Sequence, residues 1–319
     1  MNSTPLASVL IPVYNGTTFL ADAIRSVQNQ TSQNFEIIIV DDGSHDDSYA
    51  LAQKFAEVDC RIKALRQSNG GTQAARNTAL HHATGEWIAL LDQDDVWLPK
   101  KLEHQFALLK VSPHANLLFA NYIHWDGVRD LGLRYTKHHK FPDGDVGKML
   151  ARWCLFGAST VMIRRAIAEK LGGFDSKFHL SGDWDLWLRL AEKGLLAKGV
   201  WEPQARYRIW SGNESRRTLD MSREVVGILE KASLRPQTEV WRRRYEKSLT
   251  LARINLEFRE LRPQLETQPQ LTVAAVWRAW KRCPGEIKFL MLYLGLIWPR
   301  WLGGDQFSRK IYRKIRRKW

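Results

Sequence analysis

The run FEIIIVDDG, residues 35–43, constrains the fold more than any other stretch of this chain. Ile37, Ile38, Ile39 and Val40 stand together with no polar residue between them. A strand with one wet face alternates apolar and polar residues, whereas an unbroken β-branched run suits a strand covered on both faces. Such strands occur in parallel sheets, whose crossover helices cover each side. The neighbouring segments agree. SVLIPVYN, RIKALRQ and EWIALLD read as further short strands. FLADAIRSVQNQ, with Leu20, Ile24 and Val27 at helical spacing, DSYALAQKFAEV, GGTQAARNTALHHAT and PKKLEHQFALLK read as the helices between and after them. This alternation predicts an α/β fold with a mostly parallel sheet flanked by helices.

In such sheets ligands bind beyond the carboxyl ends of the strands. The residues expected there are Pro12, Val13 and Tyr14 after the first strand and Asp41 and Asp42 after the second. Asn69, Gly70 and Gly71 follow the third, ahead of Arg76, and Asp92-Gln93-Asp94-Asp95 follow the fourth. Asp-Gly and Asp-Asp pairs also serve as plain turn and cap residues. Three carboxylates within four residues, however, repel one another and cost stability unless a cation or a set of donors sits among them.

Composition narrows the class. Residues 1–200 carry 22 Lys+Arg against 22 Asp+Glu, and residues 201–319 carry 26 against 12, so the whole excess of +14 lies in the last third. Eight of the fourteen tryptophans lie there too. The shift predicts a near-neutral domain over 1–215 and a helical, basic, Trp-rich region over 216–319. A nucleic-acid binder would also have a pI near 9.8, but here the ordered domain is neutral with an acidic rim that repels phosphate backbones. Three scattered cysteines, with no metal-ligand spacing, argue for a reducing compartment and against a disulfide framework or zinc. No signal peptide is read at the N-terminus.

The motifs PVYNG, VDDGSHDDS, NGGTQAARN, LLDQDDVWLP, GGFD and SGDWDLWLRLA resemble, in this order, those of the inverting nucleotide-sugar glycosyltransferases of family two, which have the GT-A fold. The resemblance covers about residues 6 to 215. It implies a GT-A type, Rossmann-like domain that moves a sugar from a nucleotide-diphosphate sugar, a UDP-sugar by default, to a hydroxyl of a glycan or lipid-linked acceptor. It also implies a Mg²⁺ or Mn²⁺ ion that neutralises the diphosphate leaving group, with Asp94 the direct ligand and Asp92 acting through the ribose or a metal-bound water. Pro12, Val13 and Tyr14 would surround the base. Asp41, or else Asp42, would accept from the base or ribose, and Arg76 would lie beside the nucleotide. Asp95 would cap the helix near Pro99 or assist the site.

The same resemblance makes Asp183 the catalytic base. Family members have an acidic pair before this helix; here Gly182 replaces the first acid. Asp185, four residues before Arg189, reads as half of an exposed pair along the helix. Many relatives have Tyr-Arg-x-His in the next segment, whose histidine can add a metal ligand; here it is Tyr207-Arg208-Ile209-Trp210. Tryptophan does not ligate metals, so Asn213 or water would substitute, or the metal has one ligand fewer. His179 is a candidate acceptor contact or a plain loop residue.

The tail reads as membrane-seeking. FLMLYLGLIWPRWL is too short for the ~20 residues that span a bilayer. Phe307, Ile311, Ile315 and Trp319 then recur every four residues among lysines and arginines, which suits an anionic membrane surface on the cytoplasmic side. A processive membrane-embedded synthase would need several full spans and a QxxRW motif. A degenerate domain that only binds sugar nucleotide would retain the acidic motifs without turnover.

Overall fold

The computed structural model describes residues 4–137, 141–194, 196–235 and 239–265, with Arg278, Lys281 and Arg282. β1 (Ala7–Val13), α1 (Leu20–Gln28), β2 (Phe35–Asp41), α2 (Ser48–Val58), β3 (Ile62–Arg66), α3 (Thr72–His82) and β4 (Trp87–Leu90) alternate as the sequence pattern requires. Then come β5 (Val96–Trp97), α4 (Lys101–Val111), β6 (Leu117–Trp125), β7 (Asp130–Leu133), β8 (Gly144–Asp145) and α5 (Gly147–Leu150). A 3-10 turn, Ala158–Thr160, leads into β9 (Met162–Arg164), α6 (Arg165–Lys170), α7 (Gly182–Glu192) and β10 (Leu196–Arg208). α8 (Thr218–Leu234) and α9 (Glu239–Leu265) follow.

One sheet runs β3-β2-β1-β4-β9-β6-β10-β5, with β7 added on β6 and β8 on β10. The β3-β2-β1-β4 block is parallel throughout, and β6 and β10 are parallel to each other. Between the blocks lies β9, antiparallel to both β4 and β6. The apolar run that suggested a doubly covered sheet is buried at every position of β2, as is β1. α1 lays Leu20, Ala23, Ile24 and Val27 on this core. Truncating one such residue, Ile39 for instance, costs about 2–5 kcal/mol. A surface ion pair contributes ~0–1 kcal/mol. The buried strands therefore hold the fold, and their carboxyl ends fix where the acidic loops start.

The chain divides into two units. One comprises Met1–Arg217 and Arg235–Arg244; the other comprises Thr218–Leu234 and the described residues from Tyr245 onward. The second unit carries exposed ion pairs such as Arg223–Glu260 and Arg253–Glu230. The stretch 285–319, read above as membrane-seeking, lies outside the described residues.

Two readings of single residues are corrected. Asp185 does pair with Arg189, at 2.8 Å, but the pair is not exposed: Asp185 is fully buried and also faces Arg235 at 3.5 Å. The cause is that α7 is covered on nearly every side, with Trp184, Leu186, Trp187, Leu188 and Leu190 all buried. Asp95 does not cap a helix, since α4 starts at Lys101 with Lys100 at its cap.

Candidate active site

The strand ends bring four loops together. The β1 loop is held by the β4 loop through one side chain. Gln93 Oε1 accepts from Tyr14 N at 2.8 Å, and Gln93 Nε2 donates to Tyr14 O at 3.1 Å. This reciprocal pair copies a strand ladder between two loops. Gly16 is required beside it, because a Cβ there would overlap the Gln93 amide. Tyr14 itself is 43% exposed, with its ring free of the core, while Pro12 and Val13 belong to buried β1.

The two aspartates after β2 have different surroundings. Asp42 is committed to the next loop: Oδ1 accepts from Gly70 N (2.9 Å) and Gln67 Nε2 (2.7 Å), and Oδ2 from Gly71 N (2.7 Å). Gly71 has φ +86°, a conformation that favours glycine, and the His179 ring packs against it. Asp41 is fully buried; its Oδ2 meets Arg66 Nε at 3.1 Å and Ser44 N at 3.2 Å. Its Oδ1 is buried with no hydrogen-bond partner among the described residues. Arg76 Nε is in the same condition. Buried polar atoms without partners are rare and call for an explanation; a bound ligand supplies one.

Arg76 is not a surface residue. It is 4% exposed, donates to Asp92 Oδ1 at 2.5 Å and to Gln73 Oε1 at 3.2 Å, and lies over the Phe174 ring. Asp94 Oδ2 accepts from Trp210 Nε1 at 2.8 Å and Asn213 Nδ2 at 3.3 Å. Burial raises the Asp94 carboxyl above its ordinary range; the Trp210 bond opposes this and the Asp92 charge adds to it. Asp95, wholly buried, is raised further by burial and by Asp94 and Asp92. Its oxygens take Ser159 Oγ at 2.5 Å and Arg208 N at 2.9 Å. Glu214 is raised by burial first and the Asp92 charge next.

The donor set suits a hard cation. No cluster of three or more His, Cys, Asp or Glu donors exists among the described residues. Mg²⁺, however, is commonly held by one or two carboxylates together with substrate phosphates. Asp92 and Asp94 supply two, on one turn, with Arg76 beside the first and Trp210 and Asn213 donating to the second. Asn213, a candidate substitute ligand, has its Oδ1 on Trp210 N and its amide nitrogen facing Asp94 and Arg208 O. The residue in the position of the relatives' histidine, Trp210, is thus a hydrogen-bond donor to the acidic loop.

Asp183 sits in the first turn of α7 and accepts from Trp184 N at 2.8 Å. Burial pushes its carboxyl up to about 6, with the Arg76 charge pulling down and the Asp92 charge pushing up. The absent first acid has a steric reason. A Cβ on Gly182 would lie 2.7 Å from Gln73 Cγ, the residue that also supports Arg76.

Three residues that frame the site carry no sequence assignment above. Ser159 bonds Asp95, accepts from Asp92 N at 3.1 Å and receives Trp97 Nε1 on its carbonyl at 2.7 Å. Arg208 donates Nε to Asp94 O at 2.8 Å while its guanidinium lies between Phe19 and Trp125, at 4.3 and 4.2 Å from the ring centroids. Gln93 is the third. Gln93 stands inside the acidic motif, but Ser159 and Arg208 lie 64 and 113 residues along the chain from Asp95, with no local signal to mark them.

With this geometry, comparison with known proteins is direct. The family model of Glycosyl transferase family 2 matches residues 8–172, just over half of the chain. The chain belongs to that family. It is 33% identical over 210 residues to the putative teichuronic acid biosynthesis glycosyltransferase TuaG of Bacillus subtilis (strain 168), covering 65% of this chain and 81% of that protein. It is 32% identical over 224 residues to an uncharacterized glycosyltransferase of Rickettsia felis, covering 70% of this chain. There the chain spans only 36% of the relative's length. Among solved structures, S. aureus TarS 1–349 in complex with UDP-GlcNAc aligns with a TM-score of 0.62 at 19% identity, covering 97% of this chain and 90% of that one. The mannosyltransferase PcManGT from Pyrobaculum calidifontis, in complex with GDP-Man and Mn²⁺, gives 0.62 at 17%, covering 97% and 85%. These likenesses bear out the GT-A fold expected from the motifs.

The Gln93 clamp makes a prediction. Two part-exposed hydrogen bonds contribute roughly 1 kcal/mol each. Gln93→Ala should therefore speed amide exchange of Tyr14 about tenfold or more, seen by hydrogen–deuterium exchange mass spectrometry of the peptide around residue 14, with the β2 peptide unchanged. Equal exchange in both proteins would show that the clamp does not order the loop.

Proposed function

We propose that this chain is a metal-dependent, inverting glycosyltransferase. It transfers a sugar from a nucleotide-diphosphate sugar, a UDP-sugar by default, to a hydroxyl of a glycan or lipid-linked acceptor in the synthesis of a cell-surface polysaccharide or lipopolysaccharide. The observation that carries this reading is the condition of Asp183: a half-buried carboxyl at the start of α7, raised to about 6 and electrostatically linked to Arg76 and Asp92. An inverting displacement needs one base, which takes the proton of the acceptor hydroxyl as that oxygen attacks the anomeric carbon from the far side. A base performs best with a pKa near the working pH.

The rest of the site agrees with this division of labour. Asp41 Oδ1 and Arg76 Nε, both buried without partners among the described residues, provide an acceptor and a donor for the nucleoside and its phosphates. Tyr14 offers an exposed ring to the base. A hard divalent cation, Mg²⁺ or Mn²⁺, held by Asp94 and Asp92 supplies Lewis-acid neutralisation of the diphosphate leaving group. The ligands of the TarS and PcManGT structures support a nucleotide-sugar donor and a divalent ion, and the name of TuaG supports a polysaccharide product. The proposal extends to location. No helix among the described residues is long and apolar enough to cross a membrane, and the basic, aromatic sequence of 285–319 would hold the enzyme peripherally on the cytoplasmic face.

Three outcomes test the proposal. Asp94→Asn should abolish transfer and excess EDTA should silence the unaltered enzyme; full turnover in EDTA would remove the metal from the reading. Asp183→Asn should keep donor affinity and lose about 10²-fold or more in rate. The unaltered enzyme should lose rate as pH falls below about 6, because Asp183 then holds a proton. The sign for stability is opposite: with its folded pKa raised, this group's contribution falls as pH rises from about 4, the ordinary carboxyl value, to about 6. The asparagine variant should therefore melt no lower than the parent at pH 7, which separates lost chemistry from lost fold. A flat rate between pH 5 and 7 would exclude Asp183 as the base. For the tail, the full chain should pellet with anionic vesicles and be only partly released by high salt, since apolar burial is not screened; a chain that stays in the supernatant would end the membrane assignment.

A further inference from the structure

The hairpin of β6 and β7 carries a second set of polar groups toward Asp183. Its register pairs Ile123 with Leu133 and His124 with Gly132, and Arg134 N continues the ladder by donating to Tyr122 O at 2.9 Å. Side chains alternate across a strand, so Tyr122, His124 and Arg134 share one face. Tyr122 is the buried member of that face and Arg134 the exposed one. A small cavity is lined by Tyr122, Tyr207, Gly157, Ser159 and Asp95. Gly157 is needed there, because a Cβ would lie 2.9 Å from the Tyr122 ring.

The segment 150–157 closes this side. Trp184 Nε1 donates to Leu150 O at 2.9 Å, which ties the segment to the first turn of α7, next to Asp183. Tyr135 Oη donates to Leu155 O, and Arg134 lies 5.7 Å from the Tyr135 ring centroid. Cys154, on the same segment, feels the charges of both Asp183 and Arg134. Tyr135, next to Arg134, and Trp184, next to Asp183, therefore hold the two ends of one short segment, residues 150–155. His124 Nδ1, on the Arg134 face, is buried with no partner among the described residues. Burial and the Arg134 charge lower the pKa of that ring.

The charge balance gives Arg134 its meaning. The other arginines of the site are committed: Arg76 to Asp92, and Arg208 to Asp22 and the Asp94 carbonyl. Arg134 is exposed and has no carboxylate within 4.0 Å among the described residues. The site itself is acidic, with Asp92, Asp94, Asp95 and Asp183. An acceptor that is itself anionic would be repelled from such a site unless a cation received its charge. A guanidinium does so with two parallel hydrogen bonds, for carboxylate and phosphate alike.

Resting on the glycosyltransferase reading above, we propose that Arg134 receives an anionic group of the acceptor, a carboxylate or a phosphate, and so selects a charged acceptor beside Asp183. The acceptor is then either an acidic sugar or a saccharide carrying a phosphate close to the reacting hydroxyl.

The test uses the full chain saturated with UDP and Mn²⁺ and three probes: methyl β-glucuronide, methyl phosphate and the neutral methyl β-glucoside. Affinities are read by ligand-observed NMR titration. At least one anionic probe should bind about tenfold or more tightly than the glucoside, as a charge-assisted pair implies. Preference for the glucuronide assigns an acidic sugar; preference for methyl phosphate assigns a phosphate-bearing acceptor. Arg134→Gln should erase the preference and leave the glucoside unchanged. Arg134→Met, which keeps the long stem, serves the same purpose if the glutamine variant does not fold. No preference in the parent protein, including no binding of any probe, overturns the proposal, as does a preference that survives both substitutions. Failure to bind UDP would instead count against the glycosyltransferase reading, and the same titration without nucleotide would still decide the role of Arg134.

Discussion

The site is organised around a carboxylate that has no room for its charge. Asp95 is wholly enclosed, and its two oxygens are met by one hydroxyl and one backbone amide, from Ser159 and Arg208. Two further carboxylates stand within three residues of it. Removing a charge from water costs several kcal/mol, and here the cost is met in part by drawing distant segments inward. Ser159 comes from the turn before β9, Arg208 from the end of β10. Each then holds a neighbour of Asp95: Ser159 takes the Asp92 amide and Arg208 the Asp94 carbonyl. The acidic turn is thus shaped by what its most buried member demands, and Asp92 and Asp94 are left at the edge.

This arrangement also explains why the site has two electrostatic characters. On the β1–β4 side, Arg76 and Asp92 form a close pair at 2.5 Å, and Asp41 Oδ1 and Arg76 Nε are buried without partners among the described residues. On the β6–β7 side, Arg134 stands without a protein counter-charge among the described residues. Asp183, in the first turn of α7, is electrostatically coupled to the first side through Arg76 and Asp92 and to the second through Cys154. A carboxyl so placed is raised by burial and yet lowered by the Arg76 cation, which sets it close to neutrality.

Much of this was legible in the sequence, for physical reasons. The run Ile37–Val40 could belong only to a covered strand, and the spacing of Leu20, Ile24 and Val27 only to a helix facing it. The rim followed, because parallel strands deliver their carboxyl ends to one edge. Other features depend on partners far along the chain. The direction of β9 is set by β4 and β6 on either side, and three residues carry no signal of it. Asp185 four residues before Arg189 looked like a surface pair; the abundance of Trp and Leu on every face of α7 was the available sign of burial. Trp210 and Asn213 were judged as ligands or non-ligands, whereas both act as donors to Asp94. Nothing local reveals that Gln93, between two acids, would clamp the backbone of Tyr14.

The short antiparallel strand β9 divides the sheet into an all-parallel block and a mixed one, joined to each by a narrow ladder, three residues against β4 and two against β6. In evolutionary terms such a seam separates two kinds of change. Substitutions, insertions and loop exchanges around β6 and β7 can reshape one wall of the cleft while β2, α3 and the loop after β4 keep Asp41, Arg76 and Asp92 in place. A lineage can therefore diversify what it builds onto while keeping what it builds with.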